Sequence, residues 1–133
     1  MKNINNAFNK LKKTCNVIWA SDDHDTLYIY SYDKKYRIFV SYNANIIEVE
    51  KKFLIFKWEY WNLLFHWHPG DYKDGAEFYD EVLGLCNKNN ILVVKKTLLY
   101  STIKVISKDK FKENKRRYKS NLFRKCYIIN IIL

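Results

Sequence analysis

Glycine and proline are scarce, with three and one respectively in 133 residues, so the chain has little material for long flexible linkers. Cysteine is equally thin. Cys15, Cys86 and Cys126 are odd in number, far apart and without a CxxC pair, which argues against a disulfide framework and against a thiolate zinc site. They read as reduced, mostly buried thiols. Long apolar runs are missing too. Stretches such as Ile91 to Val94 and Tyr127 to Leu133 fall well short of the roughly 20 residues that span a bilayer. The first 20 residues do not read as a signal peptide, because Lys10, Lys12 and Lys13 interrupt the place where its apolar segment is expected. The expectation is a cytoplasmic protein with no membrane partner.

What is present is apolar and aromatic. Hydrophobic residues make up 48% and aromatics 17%, too much for a disordered chain. The length fits one α+β domain spanning residues 1–133. The net charge of +10 is unevenly placed. Residues 1–20 carry four lysines and no acid, residues 21–106 eleven basic and twelve acidic groups, and residues 107–133 nine basic against two acidic. The positive field therefore belongs to the two ends, above all to a basic C-terminal segment over 107–133.

Ile4, Ala7, Phe8, Leu11, Cys15 and Ile18 recur at helical spacing, predicting a first amphipathic helix, and residues 21–25 read as a polar loop. From Thr26 the period becomes two. Leu27, Ile29 and Ser31 share one face and Tyr28, Tyr30 and Tyr32 the other, and a polar turn at 33–35 precedes a strand from Tyr36 to Tyr42. Ile46 to Glu50, Phe53 to Trp58 and Tyr60 to His68 are further strands. Pro69 and Gly70 end this run, and Asp74 with Glu77 predicts the capping box of a second helix, whose buried face is Phe78, Val82, Leu85 and Cys86. Two more strands follow at Ile91 to Val94 and Leu98 to Ile106, then a charged helix over 109–119 with Phe111 and Tyr118 as its apolar contacts, then an apolar end over 122–133. The predicted class is α+β, an antiparallel β-sheet meander with one or two covering helices.

Four constellations bear on function. His66 and His68 are two apart on a strand and share a face, and Asp71 follows closely, so the three are candidate metal ligands. The rest of a hydrolase signature is missing. The plainer reading puts Trp61, Leu63, Phe65 and Trp67 on the core side and Tyr60, Asn62, Leu64, His66 and His68 on a wet side. Glu50 with Lys52 is similar to the Glu-x-Lys of restriction-type nucleases, although no Pro-Asp precedes it and a surface strand explains it equally well. There is no nucleophile elbow, phosphate loop or Cys–His pair, so no cofactor is expected and catalysis is the minority reading.

The basic run Lys108 to Lys125 is interleaved with Phe111, Tyr118 and Phe123, a composition that suits phosphate contact and base stacking, with Lys112, Lys115, Arg116, Arg117, Lys119, Arg124 and Lys125 as the nucleic-acid candidates. A solvated lysine-rich helix would look the same. Tyr28, Tyr30, Tyr32, Trp58 and Tyr60 are the candidates for a protein interface, since Tyr and Trp anchor such surfaces. The leading expectation is a non-enzymatic binding protein with a protein partner, of the type of an inhibitor or immunity protein of bacterial or phage conflict. Nucleic-acid binding through the basic ends is the alternative, a metal-dependent nuclease or hydrolase comes third, and self-assembly into a homo-oligomer is a further expectation.

Overall fold

The computed structural model describes residues 4–23, 25–68, 75–86 and 89–131. The fold is α+β. Helix α1 (Ile4–Thr14) leads into β1 (Asn16–Ala20), β2 (Thr26–Tyr30), β3 (Tyr36–Ser41), β4 (Ile46–Ile55) and β5 (Trp58–Trp67), which form an antiparallel meander in sequence order. Then come α2 (Gly75–Leu85), β6 (Asn90–Thr97), β7 (Ser101–Ser107), α3 (Lys108–Glu113), a 3₁₀ turn (Lys115–Tyr118) and β8 (Arg124–Ile129). Strands β7, β6 and β8 make a second antiparallel sheet with β6 in the middle.

The main core lies between the two sheets and the first two helices. Phe8 and Leu11 of α1, Phe78, Tyr79 and Val82 of α2, and Leu27, Ile29, Ile38, Val40, Ile47 and Val49 of the large sheet are buried together with Leu92, Val94 and Ile129 of the small one. The period-two pattern from Leu27 is what places one row of every central strand in this core. Strand β6 is buried on both faces. Its other row, Ile91 and Val93, joins Ile106 and Tyr118 in a second cluster, with Phe111 and Ile128 packed against it. The basic segment is thus a covering layer: Ser107 caps α3 by accepting from the Lys110 N–H, and Phe111 and Tyr118 fasten the segment to the small sheet.

Several boundaries differ from the sequence reading. The first helix stops at Thr14, and Cys15 to Ile18 do not continue it: Asn16–Ala20 pairs with β2, so Ile18 lies on an edge strand with its side chain exposed. Edge pairing to a waiting strand outweighs one more helical turn of Asn, Val, Ile and Trp, poor helix formers. Ile46 to Ile55 is one strand, and the hairpin turn falls at Phe56 and Lys57, not at Lys51 and Lys52. Strand β5 begins at Trp58. A bulge between Val49 and Glu50 inserts one extra residue opposite β4, so Leu64 turns into the core, Leu63 is exposed and Trp61 joins the outer row beside Lys52, the reverse of the expected alternation for these three. Leu98 to Tyr100 form a turn between β6 and β7, and β8 starts at Arg124, which leaves Leu122 and Phe123 outside it. Pro69, Gly70, the Asp74 end of the capping box and His24 lie outside the described residues. Among the described residues no helix is long and apolar enough to cross a membrane.

Candidate functional site

The outer face of the large sheet, turned away from the core, is built by the second row of the same strands. Register puts Trp19 beside Tyr28, Tyr28 beside Phe39, and Tyr30, Arg37, Glu50 and Leu63 in one cross-strand line. The ring of Tyr28 meets Phe39 at 5.0 Å and Trp19 at 6.2 Å. Tyr30 of β2 and Trp61 of β5 stack at 5.8 Å and 21°, although two strands lie between β2 and β5. In a flat sheet three strand spacings would hold them about 14 Å apart. The two side chains and their strands therefore bend toward each other over Arg37, which makes this outer face concave.

Arg37 lies at the centre of this concavity. Its guanidinium sits 4.4 Å from the Trp61 ring and 4.7 Å from the Tyr28 ring, and its Nη2 donates to Glu50 Oε2 at 2.8 Å. A planar cation between two aromatic faces, held by a carboxylate, is fixed in orientation as a lysine could not be. Glu50 is buried and neutralised there, and Lys52 on the same row reaches Glu59 at 3.8 Å. Glu50 and Lys52 thus belong to two separate ion pairs, and among the described residues no group of three metal-ligating side chains includes Glu50. Around the half-buried centre lies an exposed apolar fringe of Trp19, Leu63 and Leu54, and beyond it Phe56, 95% exposed at the tip of the β4–β5 hairpin with a left-handed φ of 57°.

The expected aromatic set is divided among three places. Tyr28 and Tyr30 are on the concave face. Trp58 and Tyr60 pair with Ile55 and Phe53 and project from the opposite face of the protruding hairpin, because the bulge and the displaced turn change which row they belong to. Tyr32 leaves the sheet after β2, donates its N–H to the Asn130 carbonyl and lines a cleft against α3. Trp19, Phe39, Arg37 and Trp61 complete the concave face. Alternation from Tyr28 pointed to its row, but cross-strand register brings in the others.

The basic candidates are distributed as well. Lys108, Lys112 and Lys115 rim a cleft of about 340 Å³ with Tyr32, Ile91, Phe111 and Ile128 as its apolar lining. On the other side of α3, Lys104, Lys110 and Arg117 border a second, more polar groove with Ser107 and Asn114. Arg116 is exposed on the 3₁₀ turn. Lys119, Arg124 and Lys125 are at the far end of the small sheet, where Arg124 Nη2 donates to the Lys119 carbonyl. Phe111 and Tyr118, two of the three aromatics expected to stack on bases, are spent on packing, and only Phe123 is free of the core.

His66 and His68 are neighbours, with ring centres 6.2 Å apart, and His68 Nδ1 lies 2.8 Å from the Asn45 carbonyl. Asp71 lies outside the described residues, and no group of three metal-ligating side chains occurs among the described ones. Cys15 and Cys86 are buried in one core and their thiols share a hydrogen bond, which holds Cys15 below and Cys86 above the ordinary thiol range. Distant in sequence, they are brought together by the ends of α1 and α2. No protein-family model matches the chain, and comparison with curated proteins and with solved structures finds no similar one.

Proposed function

We propose that this is a non-enzymatic binding protein whose concave sheet face engages a protein partner, with inhibition or neutralisation of that partner as its role, in the manner of an immunity-type protein of bacterial or phage conflict. The observation that carries the reading is the array of Trp19, Tyr28, Tyr30, Phe39 and Trp61 around Arg37. Tyr, Trp and Arg are the side chains that dominate interface energetics when clustered in a shielded centre. The charge pattern favours protein over nucleic acid. Arg37 and Lys52 each face a carboxylate and Glu48 adds another acid to that row, so the aromatic face offers no surplus of cations to a phosphate backbone. The surplus lies on another layer, around α3.

Capture from a lysate of the native host at moderate salt, with and without nuclease, tests this. Recovery of one protein that survives nuclease treatment, and is lost when Trp19→Ala and Trp61→Ala are combined in a chain that still folds, is the expected result. Nuclease-sensitive recovery of mixed nucleic acid, or capture indifferent to the two substitutions, would overturn the reading.

A further inference from the structure

The far end of the small sheet carries a second surface, independent of the concave face. Thr97 closes β6 and pairs with Arg124 at the start of β8, so the β6–β7 turn and the turn preceding β8 sit side by side. Both are locked. Thr97 Oγ1 accepts from the N–H groups of Leu99 and Tyr100 at 3.3 and 3.1 Å, and the Thr97 N–H donates to the Tyr100 carbonyl. In the neighbouring turn Asn121 Oδ1 accepts from the Phe123 N–H at 2.9 Å, and the Asn121 N–H donates to the Arg124 carbonyl at 2.7 Å. Thr and Asn supply the turn geometry. The outermost positions, where polar residues are usual, hold Leu98, Leu99, Leu122 and Phe123, each 82–98% exposed, with Tyr100 beside them.

Cations surround these tips. Lys96 and Lys125 face each other across β6 and β8, Arg124 holds the Lys119 carbonyl, and Lys95 is on the adjoining row over Tyr118. Residues 90–107 and 114–133 contain no acid at all. We propose that this end docks on an anionic lipid bilayer, the leucines and Phe123 entering the interface while the lysines and Arg124 meet the headgroups. Two features select a bilayer. The apolar side chains stand on the apices of two adjacent turns, each 82–98% exposed, and a fluid medium takes up such side chains without needing a matching pocket. The rim is uniformly positive, which an anionic surface complements at a gain of about fivefold in affinity per cation.

Sedimentation with vesicles of phosphatidylcholine alone, and of phosphatidylcholine with phosphatidylserine, tests this on the full chain. The expected result is partition onto the anionic vesicles only, weakening with salt, and falling by tenfold or more when Leu98, Leu99, Leu122 and Phe123 are all changed to Ser. Such exposed positions tolerate polar residues, and an unchanged circular dichroism spectrum and melting temperature establish this for the variant. Three outcomes overturn the proposal: no partition onto anionic vesicles; equal partition of the serine variant; or wild-type self-association in sedimentation velocity that the serine variant lacks, which makes the tips a contact between copies. Loss of duplex DNA binding in the same variant, without vesicle binding by the wild type, assigns the end to nucleic acid and overturns it too.

Discussion

Tyr79 shows how one side chain joins sequence-distant segments. It is fully buried on α2, edge-on to Phe8 of α1, and its hydroxyl donates to the Asp25 carbonyl in the loop before β2. Burial, and then the carboxylates of Asp25 and Asp23, push the phenol well above its ordinary range. The proton is held more tightly in the folded state than in the unfolded one. Stability from this group is therefore complete below about pH 10, the unfolded value, and is lost as pH climbs through the folded one. Tyr36 is displaced in the same direction, by burial and then by Asp33 and Tyr127. Urea unfolding from pH 8 to 11 should show wild-type stability falling above pH 10 and a shallower fall in Tyr79→Phe. At pH 8 that variant should be less stable by about 1 kcal/mol, the net worth of its hydrogen bond. An identical alkaline slope in both proteins would refute the assignment. Nothing in the sequence singled out Tyr79, because the stripe Phe78, Val82 and Cys86 already accounts for the buried side of α2.

At the scale of elements the β4–β5 hairpin is the clearest departure from a chain built for stability alone. Its turn places Phe56 at a left-handed φ, which costs a non-glycine residue about 1–2 kcal/mol, while the ring itself makes almost no contact. Phe56→Gly removes the strain and the ring together. Thermal melting should show a change between zero and about 1 kcal/mol in favour of the variant, since the entropy of glycine offsets part of the relief. Capture of the protein partner should weaken, because the ring borders the fringe of the concave face. Marked destabilisation would mean that Phe56 packs on its neighbours. The displaced turn was not legible beforehand: Lys51 and Lys52 look like turn residues, yet Lys51 lies over the Phe53 and Tyr127 rings and Lys52 meets Glu59, so both are held by the strand's surroundings.

For the molecule as a whole, the decisive fact is that the aromatic face of the large sheet and the cations around α3 occupy different layers. Helix α1, with exposed Lys10, Lys12 and Lys13, packs on α2 and β1, whereas α3 packs on β7, so the two basic ends are carried on different elements. A chain that bound nucleic acid by combined stacking and phosphate contact would present both on one surface. Filter binding across ionic strength should find weak duplex affinity at physiological salt. Changing Lys115, Arg116, Arg117 and Lys119 to Glu should leave capture of the protein partner intact, slowing association at most. Tight binding that falls by about 0.9 log unit per log unit of salt for each phosphate contacted, and that vanishes in the quadruple variant, would reverse the preference.

The sequence by itself determined the α+β class, the row Leu27, Ile29, Ser31 against Tyr28 and Tyr30, the buried stripe of α2, and the attachment of the basic segment through Phe111 and Tyr118. Each follows from periodicity, which is a local property of the chain. Tertiary structure alone decided the rest. The bulge opposite Val49 exchanged Leu63 and Leu64, side chains bending toward each other stacked Tyr30 on Trp61 across two strands, the ends of α1 and α2 joined Cys15 to Cys86, and pairing of Thr97 with Arg124 set two apolar turns side by side. These are contacts between residues far apart in the chain, fixed by register and twist, and no local pattern carries either.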